Sequence, residues 1–339
     1  MPWLVTGGAG YIGGHVLLAM REAGLAAVVI DDLSTGDIGR LPPDTPIVVA
    51  SVLDAEAMRG VLHDHSVDGV IHLAAKKSVE ASVEDPLLYY RENLVGTLTV
   101  LSSMAQAGVR RLVLSSSAAV YGTPATDSGD EDAPTRPESP YGRTKLVSEW
   151  MVHDAARALG FSCLSLRYFN VTGCADPRLG DNEGSNLFPQ VLRALVSGDR
   201  PVLFGDDYPT RDGSCLRDYI HVQDLAEAHV AAARLVTETR CDETVNIGCG
   251  TGHTVREVLA AMAETTGFDT TPRVLPRRPG DPAGVVATVE RAERLLHWTA
   301  RFGLDDMVSS AWSAMNHDSP ANEELDGRAL ESGVERRAL

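Results

Sequence analysis

"TGGAGYIGGH", Thr6 to His15, is the stretch on which the reading of the fold turns. Gly7, Gly10 and Gly13 fall in a G-x-x-G-x-x-G spacing. Glycine permits a tight turn and lets backbone N–H groups approach a pyrophosphate. The apolar run before it, Trp3-Leu4-Val5, reads as a buried strand; Ile12 to Ala23, after it, reads as a helix. The dipole at that helix N-terminus favours negative charge. The next apolar run, Ala27-Val28-Val29-Ile30, is followed by Asp31. A glycine turn alone is weak evidence. A strand before it, a helix after it and an acid ending the next strand supply the context of a dinucleotide site. Asp31 can accept from a ribose diol and repels a 2′-phosphate, so NAD is expected rather than NADP.

Further apolar runs follow at Ile47-Val48-Val49, Val70-Ile71-His72-Leu73 and Leu112-Val113-Leu114. Helical patterns lie between most of them, over Ala55 to His65 and Leu87 to Ala107. Strands this apolar belong in a parallel sheet covered on both faces, and the alternation predicts an α/β, doubly wound, mostly parallel Rossmann-type sheet. A helix over Tyr141 to Leu159 leads into a sixth strand, Ser162 to Leu166. After Asn170 the rhythm changes: loops rich in Gly, Asp and Pro (Gly173 to Gly184, Gly205 to Gly213) separate shorter elements. Leu225 to Val236 and Val255 to Thr266 read as helices, and Thr244 to Ile247 as a strand. The expected division is a dinucleotide-binding domain of residues 1–169 and a smaller mixed α/β substrate-binding lobe of residues 170–318, with segments returning to the first domain. Residues 319–339 are polar and aperiodic, and disorder is expected there.

The net charge of -17 disfavours nucleic acid, which needs clustered Lys and Arg. Five scattered cysteines form no CxxC pair, so neither a metal site nor a disulfide framework is expected, and a reducing cytoplasm fits. No apolar run approaches the roughly 18 residues of a membrane helix. The first strand begins almost at once, leaving no room for a signal peptide.

"SPYGRTK", Ser139 to Lys145, places a phenol and an ammonium four residues apart. One helical turn brings Tyr141 and Lys145 to one face. A cation beside a phenol favours the phenolate; moving a tyrosine from near 10 to neutrality needs about 4 kcal/mol. Tyr141 could then take a proton from an alcohol while hydride leaves. The bare spacing is common by chance, and an exposed helix pair is its bland reading. "LSSSAAVYG", Leu114 to Gly122, changes the odds, because it leaves a buried strand with three serines. Serines at the C-terminal end of a parallel strand face the ligand crevice. Ser117 is placed to bond the reacting oxygen; Ser115 and Ser116 fit a loop that satisfies its own backbone.

The spacing of the glycine turn with Tyr141 and Lys145 resembles the short-chain dehydrogenase/reductase family. With "LRYFNVTG", "FGDDYPTRDGSCLRDYIHV" and "RRPGD" the chain is similar, from Trp3 to about Met315, to its extended branch of UDP-glucose (UDP-galactose) 4-epimerases. That resemblance implies a closed redox cycle at C4 of a UDP-hexose, with NAD held as a prosthetic group. It assigns catalysis to Ser117, Tyr141 and Lys145. It assigns the cofactor to Gly7, Gly10, Tyr11, Ile12, Gly13, Asp31, Asp32, Ser51, Val52, Leu73, Ala74, Ala75, Lys77, Asn93 and Phe169. The substrate falls to Ser117, Tyr141, Tyr168, Asn170, Asn186, Leu187, Phe204, Arg217, Arg278, Asp281 and Val285. Phe204 is expected beside the uracil, Arg217 and Arg278 at the pyrophosphate, and Asp281 at the uridine ribose. A homodimer joined through the helices near residues 93–107 and 141–159 is also implied.

Three positions depart from the family. Ser51 replaces an Asp that reads adenine, Asp32 replaces an Asn, and Val285 stands where a larger Tyr or a smaller residue gates the sugar pocket. A small residue there leaves room for an N-acetyl group, so UDP-GlcNAc turnover is expected. Ala118 and Ala119 occupy the positions of a dehydratase's Asp-Glu pair, and neither can transfer a proton. An epimerase for UDP-uronates or UDP-pentoses stays open, with Arg178 as a weak candidate for a C6 carboxylate. A non-catalytic NAD-binding regulator would need the glycine turn but not the Ser-Tyr-Lys trio. His72 reads as a core histidine, Asp224 as the cap of the helix after His221, and residues 127–132 as a solvated acidic loop. Trp150, Trp298, Trp312, Met262 and Met315 read as helix packing.

Overall fold

The computed structural model describes residues 1–123, 128–181, 184, 186–278 and 282–317. In chain order its strands are β1 (Trp3–Thr6), β2 (Ala27–Asp31), β3 (Ile47–Val49), β4 (Gly69–His72), β5 (Arg111–Ser117), β6 (Ser128–Gly129), β7 (Ser162–Tyr168), β8 (Asn170–Thr172), β9 (Val202–Phe204), β10 (Leu216–His221), β11 (Asp242–Ile247), β12 (Gly252–Thr254), β13 (Arg273–Leu275) and β14 (Gly284–Ala287). The main helices are α1 (Tyr11–Glu22), α2 (Ala55–Asp64), α3 (Val79–Glu84), α4 (Pro86–Tyr89), α5 (Gly96–Ala107), α6 (Pro140–Leu159), α7 (Leu187–Val196), α8 (Val222–Glu238), α9 (Val255–Thr266), α10 (Glu290–Leu296) and α11 (Leu304–His317).

Seven strands form one sheet in the order β11-β7-β5-β4-β1-β2-β3. Every pairing in it is parallel. Side chains alternate along each strand, and the two faces are filled separately. Val5, Val29, Ile71, Val113 and Leu164 pack on one face with α1, α8 and α10. Leu4, Val28, Ile30, Val70, Leu112 and Leu114 pack on the other with α2, α5 and α6. Each fully buried side chain of this size contributes about 1.5–3 kcal/mol. The strand order reverses at β1, whose neighbours are β2 and β4. The glycine turn leaves β1 at this switch point, where a doubly wound sheet opens its ligand crevice.

β11 comes from the second half of the chain, yet it closes the edge of this sheet against β7. A second core gathers α7 and Leu203 of β9, from between those two strands, with α9 and α11, which follow β11 in the chain. A smaller sheet, β12-β10-β14-β6 with β8 on β10, lies beside it, and β9 pairs with β13.

Four expectations change in the structure. Residues 87–107 are not one regular helix: a π-helical stretch, Tyr90–Val95, separates α4 from α5. The acidic stretch is not merely a solvated loop. Ser128–Gly129 pairs with β14, Glu131 accepts from the Asn246 N–H, and Asp132 pairs with Arg291; Asp127 lies outside the described residues. Asp224 does not cap α8; the ring Nδ1 of His221 accepts from the Gln223 N–H, and Asp224 accepts from the N–H groups of Arg301 and Phe302. Trp150 does not pack inward but stands 56% exposed on α6. The tail of residues 319–339 lies outside the described residues.

Candidate active site

The glycine turn is closed by contact rather than by composition. Gly7 has φ +72°, a region that favours glycine, and a Cβ there would lie 2.8 Å from the Ala74 nitrogen. A Cβ on Gly13 would lie 2.3 Å from the Gly7 carbonyl oxygen. The N-terminus of α1 has no side-chain cap and no acid in its first turn. Its N–H groups therefore keep their capacity for an anion. Asp31 Oδ2 accepts from the Ala9 N–H and Oδ1 from the Leu33 N–H, which holds the carboxylate beside the turn. Bare backbone, a helix N-terminus and a fixed acid fit a dinucleotide's pyrophosphate and ribose.

One cavity runs from this turn to the middle of the sheet. Its walls include Gly7, Gly10, Tyr11, Ile12, Gly13, Asp31, Asp32, Ser51, Val52, Leu73, Ala74, Ala75 and Lys77, all expected at the cofactor. Ser51 lines it while its hydroxyl oxygen accepts from the Leu53 N–H. Tyr141, Lys145 and Tyr168 line the same cavity. Asn93 is placed differently from the expectation. The π-helical stretch turns it inward, and its amide binds the backbone of Lys76 at both N–H and C=O, and the Thr144 hydroxyl. It secures the loop that carries Lys77 and does not line the cavity. Phe169 also stands behind the wall, packed with Tyr121, Leu146 and Val285.

The local sequence explains how Tyr141 and Lys145 are set. Ser139 Oγ accepts from the Gly142 N–H and Pro140 takes the first turn, where its missing N–H costs nothing. Gly142 lets α6 approach the turn after β5 closely; a Cβ there would lie 2.6 Å from the Ala119 carbonyl oxygen. Lys145 Nζ donates to the Ser115 carbonyl at 2.8 Å and lies 5.9 Å from the Tyr141 ring centroid. One turn further, Glu149 accepts from Ser116 Oγ and forms a buried ion pair with Arg167. Ser115 Oγ meets His229 Nε2 at 3.0 Å. Ser115 and Ser116 thus bind distant side chains, against expectation. The serine that bonds its own loop is Ser117, whose Oγ accepts from the Ala119 N–H and also hydrogen-bonds Tyr141.

The electrostatics differ from the sequence expectation in one respect. Burial holds the Tyr141 phenol above its usual range, with the Ser117 hydrogen bond pulling the other way. Burial lowers Lys145 to about 8, opposed by Glu149. Lys145 turns its ammonium to the Ser115 carbonyl, so this state contains no acidified phenol. His72 is a buried core histidine, bonded to Thr6 Oγ1 at 2.8 Å and lowered to about 3 by burial.

Of the expected substrate residues Tyr141 and Tyr168 line that cavity, and the others among the described residues do not. Asn170 on β8, Arg217 on β10 and Val285 on β14 lie on paired strands; Asn170 faces Tyr219 in register and Arg217 faces Val285. Arg217 donates to the carbonyls of Leu216 and Pro282. Asn186 stands at the N-cap of α7 without capping it, donates to Asp181, and is followed by Leu187. Arg278 lies 3.9 Å from the Phe204 ring centroid and pairs with Glu80 of α3 at 3.1 Å. Asp281 lies outside the described residues. Arg178 pairs with Asp176 at an exposed position, away from the cavity.

Sequence reading missed Asp181, Arg40 and Glu80. Asp181 lines the cavity and also accepts from Asn186. Arg40 donates to the Gly180 carbonyl, while Tyr11 donates to that of Gly173, tying the segment before α7 to the glycine-turn helix. None of these residues sits in a recognisable spacing; their roles come from contacts between remote parts of the chain. Among the described residues no cluster of metal-binding side chains occurs, and no helix is long and apolar enough to cross a membrane.

A parallel sheet that brings a glycine turn, a fixed acid and a Ser-Tyr-Lys trio to one crevice defines a dinucleotide-dependent enzyme. Residues 3–248 match the model of the NAD dependent epimerase/dehydratase family. The chain belongs to that family. It is 42% identical over 319 residues to a UDP-glucose 4-epimerase of Halalkalibacterium halodurans, covering 92% of this chain and 95% of that one. Its fold is similar to a UDP-glucose-4-epimerase from Stenotrophomonas maltophila, crystallised with NAD and formylated UDP-arabinopyranose. That match has a TM-score of 0.90 and 40% identity over 95% of this chain and 99% of that chain. A UDP-Glc/GlcNAc 4-epimerase from Campylobacter jejuni matches with a TM-score of 0.82 and 34% identity, over 93% and 99% of the two chains.

Proposed function

We propose that the protein reversibly inverts C4 of UDP-hexoses, interconverting UDP-glucose and UDP-galactose. The observation that carries this reading is the presence of Tyr141, Lys145 and the glycine turn on one cavity wall. NAD, when bound, supplies a reversible hydride acceptor there. Tyr141 receives the C4 hydroxyl proton and later returns it, with Ser117 orienting the hydroxyl. Lys145 holds positive charge beneath the phenol, and Glu149 with Arg167 fixes the helix that carries both. The 4-keto sugar turns over between the two hydride steps while UDP stays in place. Remote binding energy on a non-reacting group makes that possible. We assign this grip to Asn170, Asn186, Leu187, Phe204, Arg217, Arg278 and Asp281. The N-terminus of α7 suits a phosphate, and Arg278 must leave Glu80 to reach one.

Val285, smaller than tyrosine, leaves space at C2, and the likeness to the Campylobacter jejuni enzyme supports UDP-GlcNAc as a second substrate. The test is incubation with UDP-glucose and, separately, UDP-GlcNAc without added NAD, with products read by proton NMR. Both C4 epimers are expected from each. No turnover of UDP-glucose ends the main reading, and turnover of UDP-glucose alone ends the claim about C2. UDP-arabinose in the same assay probes the pentose alternative, which the ligand of the Stenotrophomonas maltophila structure brings forward.

The exposed apolar side chains Val95, Leu98 and Trp150 stand on or beside α5 and α6, which pack side by side. They support a homodimer through this face, and sedimentation at the mass of one 36.2 kDa chain would end that assignment. Among the described residues no cysteine is held in a disulfide, which supports a reducing, cytoplasmic location.

A further inference from the structure

Asp218 follows Arg217 on β10 and is wholly buried. Three backbone N–H groups converge on its carboxylate. Cys249 donates to Oδ1 at 2.8 Å; Gly250 and Ala287 donate to Oδ2 at 3.0 and 3.1 Å. These donors come from two separate pieces of the molecule. Cys249 and Gly250 form the turn that leaves β11, the edge strand of the large sheet. Ala287 ends β14, two residues past Val285. Gly248 makes the space: a Cβ there would lie 2.7 Å from Asp218 Oδ2 and 2.7 Å from the Ala287 Cβ.

β14 needs this anchor. β10 pairs with it at only two positions, Leu216↔Gly284 and Arg217↔Val285. On its other edge stands the two-residue strand β6. Val285 and Ala287 in turn pack with Tyr121, Leu146 and Phe169. Leu146 adjoins Lys145, and Phe169 adjoins Tyr168 of the cavity wall. Burying a carboxylate costs several kcal/mol unless its hydrogen bonds are satisfied. Burial raises this one to about 6, with the three N–H groups opposing the rise. A neutral packed residue would avoid that cost, but it could not join three backbone donors from two elements at one point.

We propose that Asp218 is a positioning residue for the hexose: its carboxylate fixes the strand carrying Val285 against Phe169. The sugar pocket then keeps one width while the keto sugar turns. This rests on the reading that the face around Val285 receives the sugar of a UDP-hexose. If that strand loosens, the keto sugar can leave after its C4 hydride and hydroxyl proton have been taken. The hydride then stays on the cofactor, and the enzyme is left reduced.

The test uses the holoenzyme with Asp218→Asn, which keeps the side chain's size but turns an amide N–H2 toward backbone donors. Expected results are full cofactor content, UDP affinity within about threefold of the parent, and kcat on UDP-glucose lower by roughly 10- to 100-fold. Reduced nicotinamide is expected to build up during turnover, seen by its near-ultraviolet absorbance. Gly248→Ala crowds the same carboxylate from the other side and should give the same signature. Equal losses of cofactor, UDP affinity and turnover overturn the proposal, as does an unchanged kcat with no reduced cofactor. Failure of both variants to fold assigns Asp218 to stability alone and overturns it as well. Absence of UDP binding and UDP-hexose turnover in the parent protein would instead strike the underlying reading.

Discussion

Tyr141→Phe is expected to leave the cofactor bound and to lower epimerisation by roughly 100- to 10,000-fold, the usual loss for a positioned acid or base. The substitution removes one oxygen and keeps the ring, which is 7% exposed and well packed. The lost hydrogen bond to Ser117 costs about 1 kcal/mol in stability, too little to unfold a domain of this size. The loss should therefore appear in turnover and not in structure. Because burial holds the free phenol above its usual range, the proton transfer depends on charge gathered around the phenol in the working complex. Steady-state rates and extraction of bound nucleotide check both halves together. A variant retaining more than about a tenth of parental turnover would place the proton transfer on another group.

Gly13→Ala should yield a folded protein without cofactor and without activity. The added methyl would meet the Gly7 carbonyl oxygen at 2.3 Å and the Gly8 Cα at 2.7 Å. Both are backbone atoms of the turn itself, so the turn must open to admit it. Overpacking of this kind costs about 1–3 kcal/mol, which the two faces of the large sheet can absorb. The anion cradle at the start of α1 cannot absorb the same shift, because its N–H groups must converge on one point. Circular dichroism should show the parental helix and strand content, and nucleotide extraction should find no cofactor. Stoichiometric cofactor in the purified variant would mean that the turn is looser than its contacts imply.

The parts legible in the sequence are those written locally. The glycine turn, Asp31 and the Tyr141–Lys145 pair each sit within a few residues of the element that positions them. Strands β1, β2, β4, β5 and β7 announce themselves as apolar runs because both sheet faces are covered there. The second half is harder. β6, β8, β9, β12, β13 and β14 span two to four residues each, too short for any period to register. Gly284–Ala287 follows a glycine- and proline-rich stretch and draws no strand reading, yet it is the strand that carries Val285. The contacts of Ser115, Ser116 and Asn93 escape the sequence for another reason. Their partners His229, Glu149 and Thr144 lie 114, 33 and 51 residues away, and only the folded sheet brings them together.

The edge strand β11 has a consequence for how the molecule is made. A ribosome delivers β7 some eighty residues before the strand that covers it, with α7, β9, β10 and α8 in between. Until then the backbone of Ser162–Tyr168 is an open margin able to recruit any extended chain nearby. The nascent protein thus carries an open edge at the strand leading to its own sugar pocket until Asp242–Ile247 has been made and has paired with it.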